Sequence, residues 1–229
     1  MIRKALILAA GVGSRLRPLT DSTPKALLEY RGKTMLEHVV IQLATNGIRD
    51  IVINIHHHAD MIIEFVRSKN NIEFSDERDL LMDTGGAIIK ARRHLQSNGP
   101  FLVHNIDIFS NLDLKEMLAL HEEEEALATL AVRHRKTSRN LLIDGENYLC
   151  GWRNNDTGEQ ILVREKSEID AVAFSGIHIL NPQVFEIINR SDPFSIIKAY
   201  LELAENYKIL TYSHNDDIWT DMAHPELHL

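Results

Sequence analysis

The residues best suited to chemistry lie near the start of the chain, between Leu8 and Lys25. Gly11 and Gly13 lack side chains, so the backbone there can approach phosphate oxygens and point its N–H groups at them. Arg15 can hold two oxygens with its planar fork, and Lys25 offers a compact positive charge. The spacing of these residues predicts a loop that binds phosphate groups.

Three alternatives compete with this interpretation of the loop. A dinucleotide-binding loop would need a third glycine where Leu16 stands, and an NTPase P-loop would need a Gly-Lys-Ser/Thr run that is absent here. An ordinary tight turn between a strand and a helix would account for two glycines alone. The addition of Arg15, Pro18, Pro24 and Lys25 favours the phosphate-binding loop.

Two aspartates far apart in the chain are candidate metal ligands. Asp107 follows an apolar run, and Asp221 lies two residues after Trp219. Mg²⁺ typically takes one or two protein carboxylates and completes its shell with phosphate and water oxygens. Each aspartate also has a structural alternative: Asp107 could cap the helix that starts near Leu112, where Asp113 competes, and Asp221 could lie in a surface turn.

Alternating strands and helices are predicted to position these residues. Short apolar runs at 4–9, 51–55, 72–74 and 101–104 are typical of buried strands, and apolar residues at helical spacing lie between them. The alternation predicts an α/β fold with a doubly wound, mostly parallel sheet. In such sheets ligands bind beyond the carboxyl ends of the strands. Predicted short strands at 127–132, 141–143, 148–152 and 161–163 indicate a β-rich subdomain from about residue 126.

Composition narrows the class of protein. The 229 residues, 44% of them hydrophobic, suit one globular domain, and no run of apolar residues is long enough to span a membrane. A net charge of −8 argues against broad contact with nucleic acid or an anionic membrane. The single cysteine, Cys150, cannot form an internal disulfide, so we expect a cytoplasmic protein.

Several segments of the sequence resemble those of a known protein family. Residues 8–20, together with residues 23–25, resemble the signature of the sugar-1-phosphate nucleotidyltransferases. Residues 74–77 and 80–88 are similar to the base- and sugar-binding segment of that family, residues 174–180 to the strand that lines its sugar pocket, and residues 219–226 to its closing segment. The chain looks most like the short members that act on N-acetylmuramate 1-phosphate or mannose 1-phosphate.

The resemblance implies a Rossmann-like fold with a nucleotide-binding half, about 1–125, and a sugar-binding half, about 126–229. It implies an enzyme that transfers NMP from a nucleoside triphosphate, with UTP and GTP favoured, to a sugar 1-phosphate and releases pyrophosphate. The implied cofactor is Mg²⁺, held by Asp107 and Asp221, and the implied catalytic cations are Arg15 and Lys25. The nucleotide-binding residues that it implies are Leu8, Ala10, Gly11, Gly13, Ser14, Arg15, Thr84, Gly85 and Gly86. For the sugar phosphate it implies Asn105, Glu165, Lys166 and Gly176.

The chain departs from the family pattern near both aspartates. Ile106 stands where the family usually has glycine, and Ala223 and His224 replace the usual glycine and the common threonine. A β-branched residue resists backbone angles that only glycine tolerates, so Ile106 predicts altered metal geometry, which His104 or His224 could tune. These departures support one alternative, a nucleotide-sugar-binding regulator without catalysis. A nicotinamide dehydrogenase is disfavoured by Leu16.

Overall fold

The computed structural model describes residues 2–69, 71–165 and 168–228. Its first half contains seven strands and five helices. The strands are β1 (Lys4–Leu8), β2 (Glu29–Tyr30), β3 (Lys33–Thr34), β4 (Asp50–Ile55), β5 (Ile72–Asp76), β6 (Phe101–Asn105) and β7 (Ile108–Ser110). The helices are α1 (Met35–Thr45), α2 (Ala59–Val66), α3 (Asp83–Lys90), α4 (Arg92–Leu95) and α5 (Leu114–Glu123).

The second half is richer in strands, as expected. Its strands are β8 (Ala128–Arg133), β9 (Arg139–Asp144), β10 (Leu149–Asn154), β11 (Gln160–Leu162), β12 (Ile169–Leu180), β13 (Ile209–Ser213) and β14 (Trp219–Asp221). Two helices accompany them, α6 (Val184–Ile187) and α7 (Ile196–Ala204). Four short 3₁₀ segments lie at Ser14–Leu16, Leu19–Asp21, Lys25–Leu27 and Pro225–His228.

One sheet runs through both halves in the order β11-β10-β9-β12-β6-β1-β4-β5. The strands β6, β1, β4 and β5 are parallel, whereas β12 pairs with β6 in the antiparallel direction and so joins the halves. The predicted α/β class with a mostly parallel sheet is confirmed. The division into a nucleotide-binding and a sugar-binding half stays a prediction.

Apolar residues on both faces of this sheet make two core clusters. Along β1, Ala5 and Ile7 pack into the first cluster and Leu6 into the second, as the alternation of a strand requires. The helices α1, α2 and α5 cover the first face, and α3, α4 and α7 cover the other. Burial on both faces explains why the parallel strands are continuous apolar runs.

The topology creates a crevice between β1 and β6. The chain leaves β1 toward β4 and β5 on one side and then returns to add β6 on the other, so the loops after β1 and β6 diverge at the carboxyl edge of the sheet. Such a switch point is the usual ligand-binding position of an open α/β sheet. The glycine loop follows β1, and Asp107 follows β6.

Among the described residues, no helix is both long and apolar enough to cross a bilayer.

Candidate active site

The glycine loop is held open by its backbone geometry and by a buried asparagine. Gly13 has a left-handed φ of 65°, and a Cβ atom added there would lie 2.7 Å from the methyl group of Thr20. The hydroxyl of Thr20 donates to the carbonyl of Gly13 at 3.0 Å, which fixes this tight approach. Around it, Gly11, Ser14 and Arg15 are exposed, so the loop presents its outer surface to a ligand.

Asn54, at the carboxyl end of β4, supports the start of the loop. Its Oδ1 accepts hydrogen bonds from the backbone N–H groups of Ala9 and Ala10 at 2.5 and 3.1 Å. Its Nδ2 donates to Glu77 at 2.9 Å, and the other oxygen of Glu77 accepts from the N–H of Met82 at 3.0 Å. This buried network connects the glycine loop to the start of α3. Neither side chain was predicted as a site residue, although Glu77 lies in a segment that carried the family resemblance.

Four charged side chains meet at the mouth of the crevice. The Nζ atom of Lys25 lies 2.8 Å from Oδ2 of Asp107, and an Nη atom of Arg15 lies 2.9 Å from Oδ2 of Asp221. The other Nη atom of Arg15 is 3.7 Å from Oδ2 of Asp107. One guanidinium therefore lies between the two aspartates, although they are more than one hundred positions apart in the chain.

Asp107 is charged in this setting. Burial raises the pKa of its carboxyl group, but the ammonium of Lys25 and, more weakly, the guanidinium of Arg15 outweigh that effect and hold the pKa below its ordinary value. Asp113, not Asp107, caps α5 by accepting from the N–H groups of Lys115 and Glu116. The carboxylate of Asp107 is thus free of the capping role.

A two-stranded ribbon brings Asp221 to this position. In it β14 pairs with β7 in the antiparallel direction, with Asp221 opposite Ile108, and the N–H of Met222 donates to the carbonyl of Asp107 at 2.7 Å. The side chain of Asp221 is further fixed by the N–H of Ala223, which donates to its Oδ1 at 2.9 Å. The alternative that Asp221 lies in a surface turn is wrong, because a strand carries it.

The departures from the family pattern do not displace the carboxylates. Among the described residues, the non-glycine positions with positive φ do not include Ile106, which is buried in the core. The predicted backbone conflict at Ile106 is therefore wrong. His104 is buried and bonded to the carbonyl of its neighbour Asn105, and burial lowers its pKa to about 4, so it is a neutral structural residue. His224 is exposed and lies 3.9 Å from Glu226.

The crevice itself has a volume of about 310 Å³, within the usual range for a small-molecule site. Seven of the predicted residues line it, namely Leu8, Ala10, Gly11, Lys25, Thr84, Asn105 and Asp107. Its wall also contains Asn54, Glu77, Leu81 and Asp83, which the sequence analysis did not select. Asp83 has a positive φ of 56° at the first position of α3, so its backbone turns the chain into that helix.

Gly85 and Gly86 lie beside the crevice but do not line it. The N–H of Gly85 donates to the carbonyl of Phe194 at 2.8 Å, and a Cβ atom added to Gly85 would lie 2.2 Å from the phenyl ring of Phe194. A Cβ atom on Gly86 would lie 3.1 Å from the carbonyl oxygen of Asp192. In the structure both glycines permit close packing of α3 against the segment that precedes α7.

The structure brings together two of the four residues that were predicted to bind the sugar phosphate. Gly176 has a φ of 78° within β12, and a Cβ atom there would lie 2.9 Å from Nδ2 of Asn105, so these two residues are neighbours. Glu165 is exposed. Lys166 lies outside the described residues.

The donor set suits Mg²⁺. Two carboxylates, one in the turn after β6 and one on β14, lie on either side of the Arg15 guanidinium. Mg²⁺ commonly takes one or two protein carboxylates, with phosphate and water in the other positions. No group of three or more histidine, cysteine, aspartate or glutamate side chains capable of holding a metal occurs within residues 2–69, 71–165 and 168–228. Asp107 and Asp221 would therefore hold the ion with help from the ligand itself.

The fold and the charged crevice define a nucleotide-binding α/β protein, and comparison with known proteins gives its family. The model of the nucleotidyl transferase family matches residues 4–226, so the chain belongs to that family. The resemblance found in the sequence is confirmed.

Individual relatives agree with the family. The chain is 27% identical, over 98% of its length and 93% of the relative, to N-acetylmuramate alpha-1-phosphate uridylyltransferase of Caulobacter vibrioides. It is 30% identical, over 99% of its length, to mannose-1-phosphate guanyltransferase of Schizosaccharomyces pombe, of which it spans 62%. Among solved structures, HddC from Yersinia pseudotuberculosis superposes with a TM-score of 0.79 at 22% identity, covering 99% of this chain and 96% of that one. This last likeness concerns the fold.

Proposed function

We propose that this chain transfers a nucleoside monophosphate from UTP or GTP to a sugar 1-phosphate, giving an NDP-sugar and pyrophosphate. One observation carries the proposal: Arg15 bridges Asp107 and Asp221 at the mouth of a crevice whose floor is the glycine loop. Two cations for phosphate and two carboxylates for a divalent metal are the groups that nucleotidyl transfer requires. Membership of the nucleotidyl transferase family and the names of the relatives support the same activity.

The reaction is an in-line displacement at the α-phosphorus. An oxygen of the sugar phosphate forms the new P–O bond, and the bond to the pyrophosphate oxygen breaks. Because the nucleophile is already an anion, the protein needs no general base, and its work is alignment and neutralisation of charge. Mg²⁺ bound by Asp107 and Asp221 would supply further positive charge to the phosphate oxygens.

Different residues of the chain align the substrates and neutralise their charge. The loop from Gly11 to Gly13 presents backbone N–H groups to the triphosphate, and Arg15 and Lys25 neutralise its charge. In the structure both cations are paired with aspartates, so an incoming triphosphate competes with those carboxylates for them. Thr84 lines the nucleotide side of the crevice, and Asn105 with Gly176 forms the side that we assign to the sugar phosphate. A cytoplasmic location stays a prediction.

The test is pyrophosphate release from a panel of five triphosphates, UTP, GTP, CTP, ATP and dTTP, each combined with several sugar 1-phosphates and Mg²⁺. We expect release from at least one pair with UTP or GTP, and we expect a chelator of divalent ions to stop it. The absence of release from every pair, with folded protein and Mg²⁺ present, would reject the proposal. Tight binding of a nucleotide sugar in the same samples would then indicate the regulator.

A further inference from the structure

A second recess, of about 480 Å³, lies beside the crevice in the β-rich half. We call it the side recess and define it by Arg135, Arg139, Trp152, Ile161, Phe174 and Lys198. One wall is the sheet of β9, β10, β11 and β12, and the other is the first part of α7. Its volume is large enough for a substantial part of a small molecule.

Two sets of contacts place the side recess next to the candidate active site. The guanidinium of Arg135 lies 4.5 Å from the ring centroid of Trp219, two residues before Asp221, and donates to the carbonyl of Phe174 at 3.2 Å. The indole N–H of Trp219 donates to the carbonyl of Ser175 at 2.9 Å. The strand segment Phe174–Gly176 therefore borders the recess at one end and approaches Asn105, in the crevice wall, at the other.

The start of α7 forms the second connection. The N–H of Ile196 donates to the hydroxyl of Thr84 at 3.0 Å, and Thr84 lines the crevice. The preceding residue, Ser195, lines the side recess. The crevice and the side recess are therefore neighbours at the start of α7.

The charge of the side recess is opposite to that of the whole chain. Arg135, Arg139 and Lys198 line it with a single acid, Glu159, whereas the chain has a net charge of −8. Within the described residues, the side chains of Arg139 and Lys198 form no ion pair or hydrogen bond. Arg135 is cationic as well, so three positive charges line the recess.

Apolar surface lies next to these unpaired cations. Trp152 and Phe174 are half-buried, and Ile161 is 41% exposed although it faces the recess. An uncharged hexose would leave the cations without partners and would use little of the apolar wall. A carboxylate on a short aliphatic stem would use both, because the stem contacts the apolar wall and the carboxylate accepts charge-assisted hydrogen bonds.

We propose that the side recess binds a carboxylate-bearing substituent of the sugar 1-phosphate, so that the enzyme selects an acidic sugar over its neutral counterpart. The inference rests on the proposed function for the reaction itself. It adds a specificity determinant, made by Arg139 and Lys198, that lies outside the phosphate loop and the two aspartates.

Two probes that differ only in the substituent test this proposal. N-acetylmuramate 1-phosphate carries a carboxylate on an aliphatic ether stem, and N-acetylglucosamine 1-phosphate is the same sugar without it. With the triphosphate that the protein uses, we expect kcat/KM to favour the acidic sugar by about tenfold to a hundredfold, as one or two charge-assisted hydrogen bonds give. The double variant Arg139→Gln, Lys198→Gln should lose most of that preference while its kcat/KM for the neutral sugar stays within about threefold of wild type.

Arg49→Gln is the matched control, because Arg49 is an exposed cation directly before β4, which three strands separate from β9 in the sheet. It should leave both substrates unaffected. Equal use of the two sugars by the wild type, or an equal loss for both in the double variant, would overturn the inference while pyrophosphate release still upheld the proposed function.

Calorimetry measures the binding of the two sugar phosphates without turnover. It therefore tests the acid-selective recess independently of the reaction. The wild type should bind the acidic sugar more tightly than the neutral one, and the double variant should not distinguish them. If no pair releases pyrophosphate, the proposed function fails, yet this difference in binding still supports an acid-selective recess. Equal binding of both sugars by the wild type would contradict it.

Discussion

At the scale of single residues, the phosphate loop depends on a glycine that has two separate reasons to lack a side chain. Gly13 has a left-handed φ, and a Cβ atom added there would also lie 2.7 Å from the methyl group of Thr20. Gly32 has a similar φ of 76° but has no atom within 4 Å of the position of an added Cβ atom. A comparison of alanine substitutions at the two positions therefore distinguishes the cost of backbone strain from the cost of steric conflict.

We predict that Gly32→Ala lowers the free energy of unfolding by about 1–2 kcal/mol, the cost of a left-handed alanine, without changing activity. Gly13→Ala should cost more, because the added methyl group must also displace Thr20, and it should raise the KM for the triphosphate. Urea unfolding and steady-state kinetics on both variants measure these effects. Equal stability losses with an unchanged KM would show that the loop tolerates a side chain at Gly13.

At the scale of elements, the shape of the crevice beside α3 depends on how closely α3 approaches the segment before α7. Gly85 allows this approach by leaving room for the ring of Phe194. Gly85→Ala should destabilise the fold by about 1–3 kcal/mol, as overpacking does, and Phe194→Leu in the same chain should restore part of the loss. Thermal unfolding checks this, with Gly99→Ala as a control because Gly99 has no atom within 4 Å of an added Cβ atom. A loss at Gly85 no greater than that at Gly99 would refute the packing role.

The elements also show which parts of the site the sequence could predict. The loop from Leu8 to Lys25 and the position of Asp107 after a strand are local, so residue type and spacing were enough to select them. Asp221 had less support from the sequence itself, because its position depends on the pairing of β14 with β7, and a three-residue strand leaves little periodic signal. Asn54 was missed since a buried asparagine at the end of a strand shows its partners only when the fold brings Ala9 and Glu77 to it.

Ile106 and Gly85 are positions where the local sequence suggested a role, but distant residues determine the surroundings. The sequence suggested strain at Ile106, yet its backbone adopts an ordinary conformation and its side chain completes the core. The structure gives Gly85 a packing contact with a residue more than one hundred positions away, and its predicted role in nucleotide binding stays a prediction. In both cases the role depends on a long-range neighbour, which a motif cannot specify.

At the scale of the whole molecule, buried histidines link stability to pH. Burial lowers the pKa of His104, His121 and His214 to about 4 and that of His178 to about 3. An unfolded chain protonates histidine near its ordinary value of 6.5. Between these values the unfolded state binds more protons, so this stability is fully present above 6.5 and is lost as the pH falls toward the folded pKa values.

We therefore predict that the free energy of unfolding falls between about pH 7 and about pH 5, by up to about 1 kcal/mol per pH unit for each neutral histidine. Urea unfolding at several pH values measures this slope. His121→Asn keeps a polar partner for Thr129 but removes one titrating group, so its slope should be shallower. A stability that is constant over this range would contradict the prediction.

The central claim is that Asp107 and Asp221 belong to one site that performs nucleotidyl transfer. A double-mutant cycle on the rate of NDP-sugar formation tests it most directly, using Asp107→Asn, Asp221→Asn and the pair together. Each single variant should be slower by about a hundredfold or more, and the double variant should be no more than about threefold slower than the slower single one, because residues that act as a unit are strongly non-additive. Losses that multiply in the double variant, or a wild-type rate in either single variant, would contradict the account.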